Sequence, residues 1–366
     1  MMFDGIYKGK RILVTGQCGF TGSWLCLWLR RLGAEVIGYG HLPRTKPNHF
    51  ALLGGADRKT YYYTSIAGEP RQKIVYLGEL LNNIMLHGTM QDAMPDLVIH
   101  LAAKAIVART FTEPRETFEN NVMGAVNILE ACRQTPSVKG VVIITTDKVY
   151  ENHEWNYAYR EIDGLGGADP YSSSKVCVEQ VIRCYRESFG MNIATARAGN
   201  VIGGGDWSYK RLIPDIVRAA SKGEKVIIHT PNATRPFQHV LEALSGYLLL
   251  GQHILEGKEA TGVDVNRAWN FGPDGEMRVL EVLQTAQSVW PAVQWEVDYT
   301  PTHPHMVYLL KIDSTESRKL LGWKPVWGME QAVGQSILWY KAFYESGQIM
   351  TNLNIDEYET DYAKIS

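Results

Sequence analysis

The sequence predicts an α/β fold built on a doubly wound parallel sheet, and three observations support this prediction. Short apolar runs that are typical of strands alternate with longer segments of helical periodicity over about the first 200 residues. The strand-like runs are continuously apolar, as expected for strands that helices cover on both faces. A glycine-rich turn joins the first of these strands to the first helix.

The elements follow one another in a regular order up to Gly199. Beyond this residue the pattern weakens, and we expect shorter elements that form a smaller lobe interleaved with the end of the main domain. Residues 42–75 are expected to be loop with some helix. The sequence predicts strands at 11–15, 35–39, 96–101, 140–145 and 193–197, and helices at 23–32, 117–134 and 171–189.

Length and composition limit the function classes. The chain has 366 residues, with 37 Lys and Arg against 39 Asp and Glu, so its net charge is −2. This length predicts two domains or one large α/β unit with an elaboration. The near-neutral charge argues against a nucleic-acid partner or an anionic membrane partner. Because we find no secretory signal, no apolar run of about 18 residues and no metal-ligand spacing among the five cysteines, we expect a cytoplasmic, reduced protein without a metal.

The first glycine turn has the pattern Gly16-x-x-Gly19-x-x-Gly22. Such glycines allow a tight turn and close approach of the backbone to a pyrophosphate at the helix N-terminus, so we predict a Rossmann-type dinucleotide site rather than a merely structural turn. The second strand ends without the carboxylate that usually binds the ribose of NAD. Arg44 lies nearby and could pair with a 2′-phosphate, so the choice between NAD and NADP stays open.

Tyr171 and Lys175 lie four residues apart at the start of a predicted helix, so their side chains share one face. A tyrosine hydroxyl is a poor base at neutral pH, and a nearby ammonium favours the phenolate. We therefore interpret the pair as a catalytic base with its supporting cation, against the alternative of two ordinary surface residues.

Thr146, Asp147 and Lys148 follow a predicted parallel strand, at the sheet edge where doubly wound folds bind ligands. Thr146 can donate a hydrogen bond to a reacting oxygen, and the next two residues supply an acid and a base. The alternative is a polar strand end with a surface ion pair. Such a pair would shift the pKa of Asp147 and the pKa of Lys148 away from the values that this chemistry needs.

Longer motifs accompany these residues along nearly the whole chain. They are TDKVYENHEW at 146–155, DPYSSSK at 169–175, RAGNVIGGGDW at 197–207, RPFQHVLE at 235–242, WNFGP at 269–273 and HPH at 303–305. With them, the chain resembles the extended short-chain dehydrogenases/reductases. Within these it is similar to the nucleotide-sugar dehydratases and epimerases, and in particular to enzymes that dehydrate CDP-glucose.

This resemblance implies a three-step reaction in which NAD is held tightly. Tyr171 would deprotonate the 4-hydroxyl as hydride passes from C4, Lys148 would take the C5 proton, and Asp147 would protonate the departing 6-hydroxyl. Hydride would then return to C6, giving a 4-keto-6-deoxy sugar for deoxysugar biosynthesis, as in lipopolysaccharide O-antigen. Asp147 must then be protonated near neutral pH, and Lys148 must be transiently neutral.

The resemblance also implies a domain division and binding residues. The NAD(P)-binding domain would comprise 1–200 and 236–272, the nucleotide-sugar lobe 201–235 and 273–350, and a polar surface tail 351–366. Implied cofactor ligands are Gly16, Gly19, Phe20, Gly22, Arg44, Glu79, Leu101, Ala102, Ala103, Asn121, Tyr171 and Lys175. Implied nucleotide-sugar ligands are Asn200, Arg211, Leu212, Arg235, Asn270 and His305, although packing roles stay open for Asn270 and His305 and a structural ion pair for Arg235.

Departures from the family pattern leave alternatives open. Thr21 and Glu79 stand where a lysine and an aspartate are usual, and Lys104, Ala108 and Met306 also differ near the expected substrate pocket. A dehydratase for another nucleotide-sugar, a 4-epimerase and a non-enzymatic NAD(P)-binding protein are therefore the competing hypotheses. The resemblance further implies a homodimer joined by a four-helix bundle formed from 117–134 and 171–189.

Overall fold

The computed structural model describes residues 2–43, 45–55, 74–300 and 309–365. The chain divides into two compact units, each made of several segments. Unit 1 comprises Met1–Glu151, Gly164–Arg197 and Leu244–Trp269, and unit 2 comprises Asn152–Asp163, Ala198–Ala243 and Asn270–Ser366. The assignment of cofactor and sugar binding to separate domains stays a prediction.

A seven-stranded sheet dominates unit 1, with the strand order β11-β6-β5-β4-β1-β2-β3. The pairings β1–β2, β1–β4, β2–β3, β4–β5 and β5–β6 are all parallel. This order confirms the predicted doubly wound, Rossmann-type sheet. The strands are β1 Arg11–Thr15, β2 Glu35–Gly40, β3 Ile74–Leu77, β4 Leu97–His100, β5 Gly140–Ile144, β6 Ile193–Ala198, β7 Val201–Ile202, β8 Lys225–Ile228, β9 Thr234–Arg235, β10 Gln238–His239, β11 Ala268–Phe271, β12 Met277–Arg278 and β13 Gln294–Val297.

Helices follow most of the strands of this sheet, and the predicted order of elements up to Gly199 is confirmed. The predicted helix 117–134 is divided into α4, one π-helical turn at Glu119–Met123, and α5. The helices are α1 Phe20–Arg31, α2 Asn83–Ala93, α3 Val107–Thr110, α4 Pro114–Phe118, α5 Gly124–Arg133, α6 Pro170–Phe189, α7 Leu212–Ala220, α8 Val240–Glu256, α9 Lys258–Thr261, α10 Val279–Val289, α11 Thr315–Leu320, α12 Met329–Ser346 and α13 Thr351–Ile365.

The core of unit 1 forms because the central strands are apolar on both faces. Leu13, Val98 and Val141 on neighbouring strands are fully buried, and helices α2, α5 and α6 contribute Leu86, Ile128 and Ile182 to the same cluster. This packing fixes the carboxyl ends of β1, β4 and β5 along one edge of the sheet.

In unit 2, the strands form small two-stranded sheets. β7 pairs with β10 and β8 with β13 in parallel, whereas β9 pairs with β12 in antiparallel orientation. Within the described ranges, no helix combines the length and the apolar composition that crossing a bilayer requires. Among the same residues, no group of His, Cys, Asp and Glu is arranged to hold a metal ion.

Three expectations about the elements need correction or fall outside the structure. The later elements are not all short, since α8 has 17 residues and α12 has 18. The expected polar tail after residue 350 is the helix α13, whose buried face includes Ile355 and Tyr358. Of the expected loop at 42–75, Ala51–Gly55 forms a π-helical turn and 56–73 lie outside the described residues.

Candidate active site

The three residues beyond Thr145 place polar groups at the carboxyl edge of the parallel sheet. β5 ends at Ile144, and Asp147–Val149 forms one 3-10 turn. The Thr146 hydroxyl donates to Asp147 Oδ1 at 3.0 Å and accepts the Lys148 backbone N–H at 3.3 Å. Asp147 is buried and Lys148 is half-buried. Among the described residues, no ion pair joins the Lys148 side chain to Asp147.

The capped start of α6 carries Tyr171. Asp169 caps the helix, because its carboxylate accepts the backbone N–H groups of Tyr171 at 2.9 Å and Ser172 at 3.0 Å, while the Ser172 hydroxyl accepts the Asp169 N–H. Pro170 occupies the first helical position, where its missing N–H costs nothing. The cap therefore fixes where the Tyr171 side chain leaves the helix.

One turn further along α6, Lys175 is tied to the strand that precedes Thr146. Its ammonium donates to the Ile144 carbonyl oxygen at 2.9 Å. The structure thus brings Thr146, Asp147, Lys148, Tyr171 and Lys175 to one edge of the sheet, and we call these five residues the catalytic edge. Their catalytic roles stay a prediction.

Burial sets the electrostatics of the catalytic edge. Burial lowers the pKa of Lys175 to about 8, although the charge of Glu179 opposes the shift. Burial also lowers the pKa of His100 to about 3, with a further contribution from the Lys175 charge. The His100 ring is therefore neutral, and its Nδ1 lies 2.7 Å from the Thr15 hydroxyl.

Sequence reasoning missed a buried network behind the catalytic edge. Glu179 accepts from the Thr145 hydroxyl at 2.7 Å and pairs with Arg197 at 3.0 Å, and Arg197 donates to the Tyr150 hydroxyl at 3.0 Å. Although burial opposes it, Glu179 and Tyr150 hold the pKa of Arg197 above its usual range. The available signal was the spacing of Glu179, four residues beyond Lys175 on the same helical face.

Tyr247 is a second residue that the sequence did not reveal. It lies on α8 within unit 1 and is buried. Burial raises the pKa of Tyr247 well above its usual value, and the charges of Tyr171 and Asp147 raise it further. These interactions place Tyr247 within electrostatic range of both predicted catalytic groups.

The glycine turn has the close contacts that the sequence predicts. Gly16 has a φ of +74°, and an added Cβ there would lie 2.9 Å from the Ala102 backbone nitrogen. An added Cβ at Gly22 would lie 2.2 Å from the Gly16 carbonyl oxygen. Gly19 precedes the first residue of α1, Phe20, and caps the helix without a side-chain bond. The N–H groups of this first helical turn have no intrahelical acceptor and are suited to phosphate oxygens.

The other predicted cofactor residues lie at neighbouring strand ends, except for two. Leu101, Ala102 and Ala103 follow β4, and Glu79 is exposed two residues beyond β3. Arg44 lies outside the described residues. The predicted ligand Asn121 is instead occupied within the protein, since its amide accepts the Lys104 N–H at 2.8 Å and donates to the Ser174 hydroxyl at 2.9 Å and to the Lys104 carbonyl at 3.3 Å.

The predicted sugar-binding residues of unit 2 behave differently from one another. Asn270 is fully buried and donates both amide hydrogens to backbone carbonyls, those of Tyr159 and Asp313, at 2.9 Å each. These contacts favour the packing role that the sequence left open for Asn270. Arg211 pairs with Asp206 at 3.3 Å.

Of the remaining predicted ligands, Arg235 donates to the Thr234 carbonyl at 2.6 Å and is half-buried. Asn200 has a φ of +33° between β6 and β7, and Leu212 is the first residue of α7. His305 lies outside the described residues. The structure therefore leaves the sugar-binding set a prediction.

Comparison with known proteins decides the family. The sequence model of the "NAD dependent epimerase/dehydratase family" matches residues 12–271 of this chain. The chain belongs to this family. As a family member it is an extended short-chain dehydrogenase/reductase, and the predicted NAD dependence is confirmed at the level of the family.

Named relatives and solved structures agree with this assignment. The chain is 38% identical to a CDP-glucose 4,6-dehydratase from Salmonella typhimurium, over 94% of each chain. It also resembles the crystal structure of UDP-glucose 4-epimerase from Thermotoga maritima, with 21% identity, a TM-score of 0.77, and coverage of 92% of this chain and 99% of that one. UDP-glucose 4-epimerase from Thermus thermophilus, crystallised with NAD, gives a TM-score of 0.76 at 21% identity over 92% and 100% of the two chains. At this identity, both structures support the fold alone.

The residues of this family member fit NAD at the glycine turn. Because Gly16 and Gly22 have no side chains, the turn packs directly against Ala102 and the start of α1, which is the tight backbone geometry that a pyrophosphate site requires. Tyr171 and Lys175 stand at the same carboxyl edge of the sheet, one strand beyond β4. The glycine turn can therefore hold the phosphates of NAD, and the catalytic edge can face its nicotinamide ring.

Proposed function

We propose that this family member is a CDP-glucose 4,6-dehydratase, which converts CDP-D-glucose to CDP-4-keto-6-deoxy-D-glucose and water. The observation that carries the proposal is the 38% identity with a relative of that name over 94% of both chains. The intact catalytic edge supports it, because an epimerase needs no acid and base for elimination, whereas Asp147 and Lys148 provide that pair.

In the first step, Tyr171 takes the proton of the sugar 4-hydroxyl. Lys175 lies one turn along α6 on the same helical face, and its ammonium would favour the phenolate form of Tyr171 by charge. Thr146 hydrogen-bonds to the reacting oxygen and holds it in place. The glycine turn would hold NAD, which would supply the acceptor for the C4 hydride and the donor of that hydride to C6.

In the second step, the elimination of water needs a base at C5 and an acid at the 6-hydroxyl. Lys148 has no hydrogen bond or ion pair through its ammonium among the described residues, so its nitrogen is available to move the C5 proton. Asp147 is buried, and burial of a carboxyl group favours the protonated form that can donate to the leaving hydroxyl. In the structure the Thr146 hydroxyl donates its proton to this carboxyl group, and with sugar bound that single donor would go to the reacting oxygen instead.

Mass spectrometry tests the proposal directly. The protein is incubated with NAD and, separately, with CDP-glucose, UDP-glucose, dTDP-glucose and GDP-mannose. Loss of one water from CDP-glucose alone is the expected result. Loss of water from a different substrate would show a dehydratase with another specificity, which we would attribute to the altered positions Lys104, Ala108 and Met306. An unchanged mass with inverted C4 configuration would support a 4-epimerase instead.

We also propose a cytoplasmic homodimer that serves deoxysugar synthesis for lipopolysaccharide O-antigen. Three large apolar side chains on the helical segments of the predicted bundle are exposed, namely Phe118, Met123 and Phe189. The proposed four-helix bundle would cover these side chains. Light scattering should give twice the chain mass for the native protein and a monomer for the double variant Phe118→Glu, Met123→Glu. Ile84→Glu, at an exposed apolar residue on α2, should leave the dimer intact.

A further inference from the structure

Gln17 lies in the glycine turn, and its carboxamide is buried without a partner. Only 1% of the residue is exposed, and among the described residues neither Oε1 nor Nε2 has a hydrogen-bond partner. An unbonded buried amide costs free energy, so a native structure that keeps one calls for an explanation. A ligand that completes the hydrogen bonds is one such explanation.

The Gln17 side chain lies against the end of β2. Gly38 and Gly40 are two residues apart in this strand, so they face the same side of the sheet. An added Cβ at Gly38 would lie 2.4 Å from Gln17 Cγ, and one at Gly40 would lie 3.2 Å from Gln17 Oε1. The absence of both side chains makes the space that Gln17 fills and places its amide at the carboxyl end of β2.

The carboxyl end of β2 is where dinucleotide-binding sheets hold the adenosine ribose. An Asp or Glu about 20 residues beyond the glycine motif usually binds the ribose hydroxyls there. In this chain no acidic residue occurs between Glu35 and Asp57. We propose that the Gln17 carboxamide replaces the missing carboxylate and hydrogen-bonds to the adenosine ribose hydroxyls of NAD. The assignment rests on the proposed function only in the choice of NAD as the cofactor.

The chemistry of an amide differs from that of a carboxylate at this position. Oε1 accepts a hydrogen bond and Nε2 donates one, so the amide can bind two neighbouring hydroxyls, each of which both donates and accepts. A carboxylate only accepts, and its charge also repels the 2′-phosphate of NADP. A neutral Gln17 lacks this repulsion, so we expect the native protein to discriminate against NADP less than a carboxylate variant does.

Two variants test the assignment through binding rather than turnover. Gln17→Leu removes the amide at similar volume, and Gln17→Glu restores the usual carboxylate. Gln287→Leu, at a glutamine that donates to the Val293 carbonyl in unit 2, is the matched control. Equilibrium dialysis of the full-length proteins against labelled NAD, NADP and the NAD analogue without the adenosine 2′-hydroxyl gives the affinities. Thermal unfolding without added cofactor reports the effect on the protein alone.

The expected results distinguish a Gln17 side chain that binds NAD from one that only supports the structure of the turn. Gln17→Leu should weaken NAD binding by about tenfold and binding of the 2′-deoxy analogue, which keeps only the 3′-hydroxyl bond, by about threefold. It should not lower the unfolding temperature, because an unbonded polar group has been removed. Gln17→Glu should bind NAD within about threefold of the native protein and NADP at least about tenfold more weakly.

Two results would overturn the assignment. Native affinity for NAD in Gln17→Leu would show that the amide does not contact the ribose. Equal weakening of NAD and the 2′-deoxy analogue, together with a lower unfolding temperature, would show that Gln17 only supports the turn. If the expected pattern appears while no nucleotide-sugar loses water, the Gln17 assignment is supported and the proposed dehydratase function fails.

Discussion

The catalytic edge of unit 1 and a cluster in unit 2 both bury ionisable side chains, but they use them differently. We call Glu242, Trp327, Tyr358 and Asp361 the Glu242 cluster. Glu242 accepts the backbone N–H groups of Val326 at 2.9 Å and Trp327 at 2.5 Å, and the Tyr358 hydroxyl at 3.0 Å. Trp327 donates from its ring to Asp361 at 3.0 Å. These bonds hold α13 and the segment before α12 to the start of α8.

In the catalytic edge, by contrast, the two lysine ammonium groups make few bonds to the described residues. The Lys175 ammonium donates one hydrogen bond, to the Ile144 carbonyl, and the Lys148 ammonium donates none among the described residues. A buried ionisable side chain with several hydrogen bonds to the protein serves the fold, whereas a sparsely bonded one is available to a ligand. Removing the same chemical group from each region should therefore have opposite consequences.

The largest expected effect comes from removing a tyrosine hydroxyl in each region. Tyr171→Phe deletes the proposed base and should lower kcat by about 10²–10⁴-fold with little change in stability. Tyr358→Phe deletes a bond to Glu242 and should lower the free energy of unfolding by about 1–2 kcal/mol while leaving kcat unchanged. Steady-state kinetics and urea unfolding measure the two effects. Comparable losses of kcat in both variants would contradict the distinction.

The second prediction isolates the elimination step at Lys148. Lys148→Met should leave C4 oxidation intact but stop exchange of the C5 proton with solvent, because no other group at the edge is proposed to move that proton. Mass spectrometry of the sugar after incubation in D₂O detects the exchange. Lys258→Met, at an exposed lysine paired with Asp264, is the control and should exchange normally. Continued exchange in Lys148→Met would exclude Lys148 as the base.

The third prediction is that replacing Lys175 lowers activity but raises stability. Its folded pKa of about 8 is below the unfolded value near 10.5, so the buried ammonium destabilises the protein below pH 8 and this cost disappears as pH rises from 8 to 10.5. Lys175→Met should therefore raise the free energy of unfolding at pH 7, by at most about 3 kcal/mol, and this gain should shrink towards pH 10. The variant should also lose about 10²-fold or more in kcat.

Urea unfolding at pH 7, 9 and 10 checks the stability effect, and the pH–rate profile checks the catalytic one. The exposed Lys258→Met variant should change stability by less than about 0.5 kcal/mol at each pH. A Lys175→Met protein that is less stable than the native one at pH 7 would show that the bond to the Ile144 carbonyl outweighs the cost of burying the charge.

Sequence reasoning predicted the features of the catalytic edge that depend on local spacing. The glycine turn, the four-residue spacing of Tyr171 and Lys175, and the position of Thr146 after an apolar strand are all set within a few residues. The carboxyl ends of parallel strands lie along one edge of a sheet. The predicted topology therefore brings the glycine turn, Thr146 and the start of α6 to the same edge. The position of these residues at one edge of the sheet could therefore be predicted once the parallel sheet was recognised.

The features that the sequence did not predict depend on distant partners. α8 is buried and apolar on nearly all sides. Its sequence therefore lacks the amphipathic periodicity that is typical of a surface helix. α13 is polar in composition, and the sequence therefore did not predict its buried face. This face is defined by tertiary contacts such as the hydrogen bond from Tyr358 to Glu242. The occupied amide of Asn270 and the unbonded amide of Gln17 are likewise consequences of tertiary packing.

The last prediction, which concerns stability alone, tests whether Glu242 stabilises the fold more as an acid than as a carboxylate. Burial raises the pKa of Glu242 to about 7, although its hydrogen bonds oppose the shift. Between the unfolded value near 4.5 and pH 7 the folded protein keeps a proton that the unfolded chain has lost, so this contribution to stability falls as pH rises through that window. Glu242→Gln is neutral throughout, so its stability relative to the native protein should rise from pH 4.5 to 7 by at most about 3 kcal/mol and then stay level.

Urea unfolding at pH 4.5, 6, 7 and 8 measures this difference in stability, with Glu281→Gln as the control. The Arg278 pair holds the pKa of Glu281 below its usual range, so any pH effect of that exposed carboxyl has the opposite sign. A flat difference between the native protein and Glu242→Gln would mean that Glu242 is ionised in its cluster, and that its backbone bonds offset the whole cost of burying the charge.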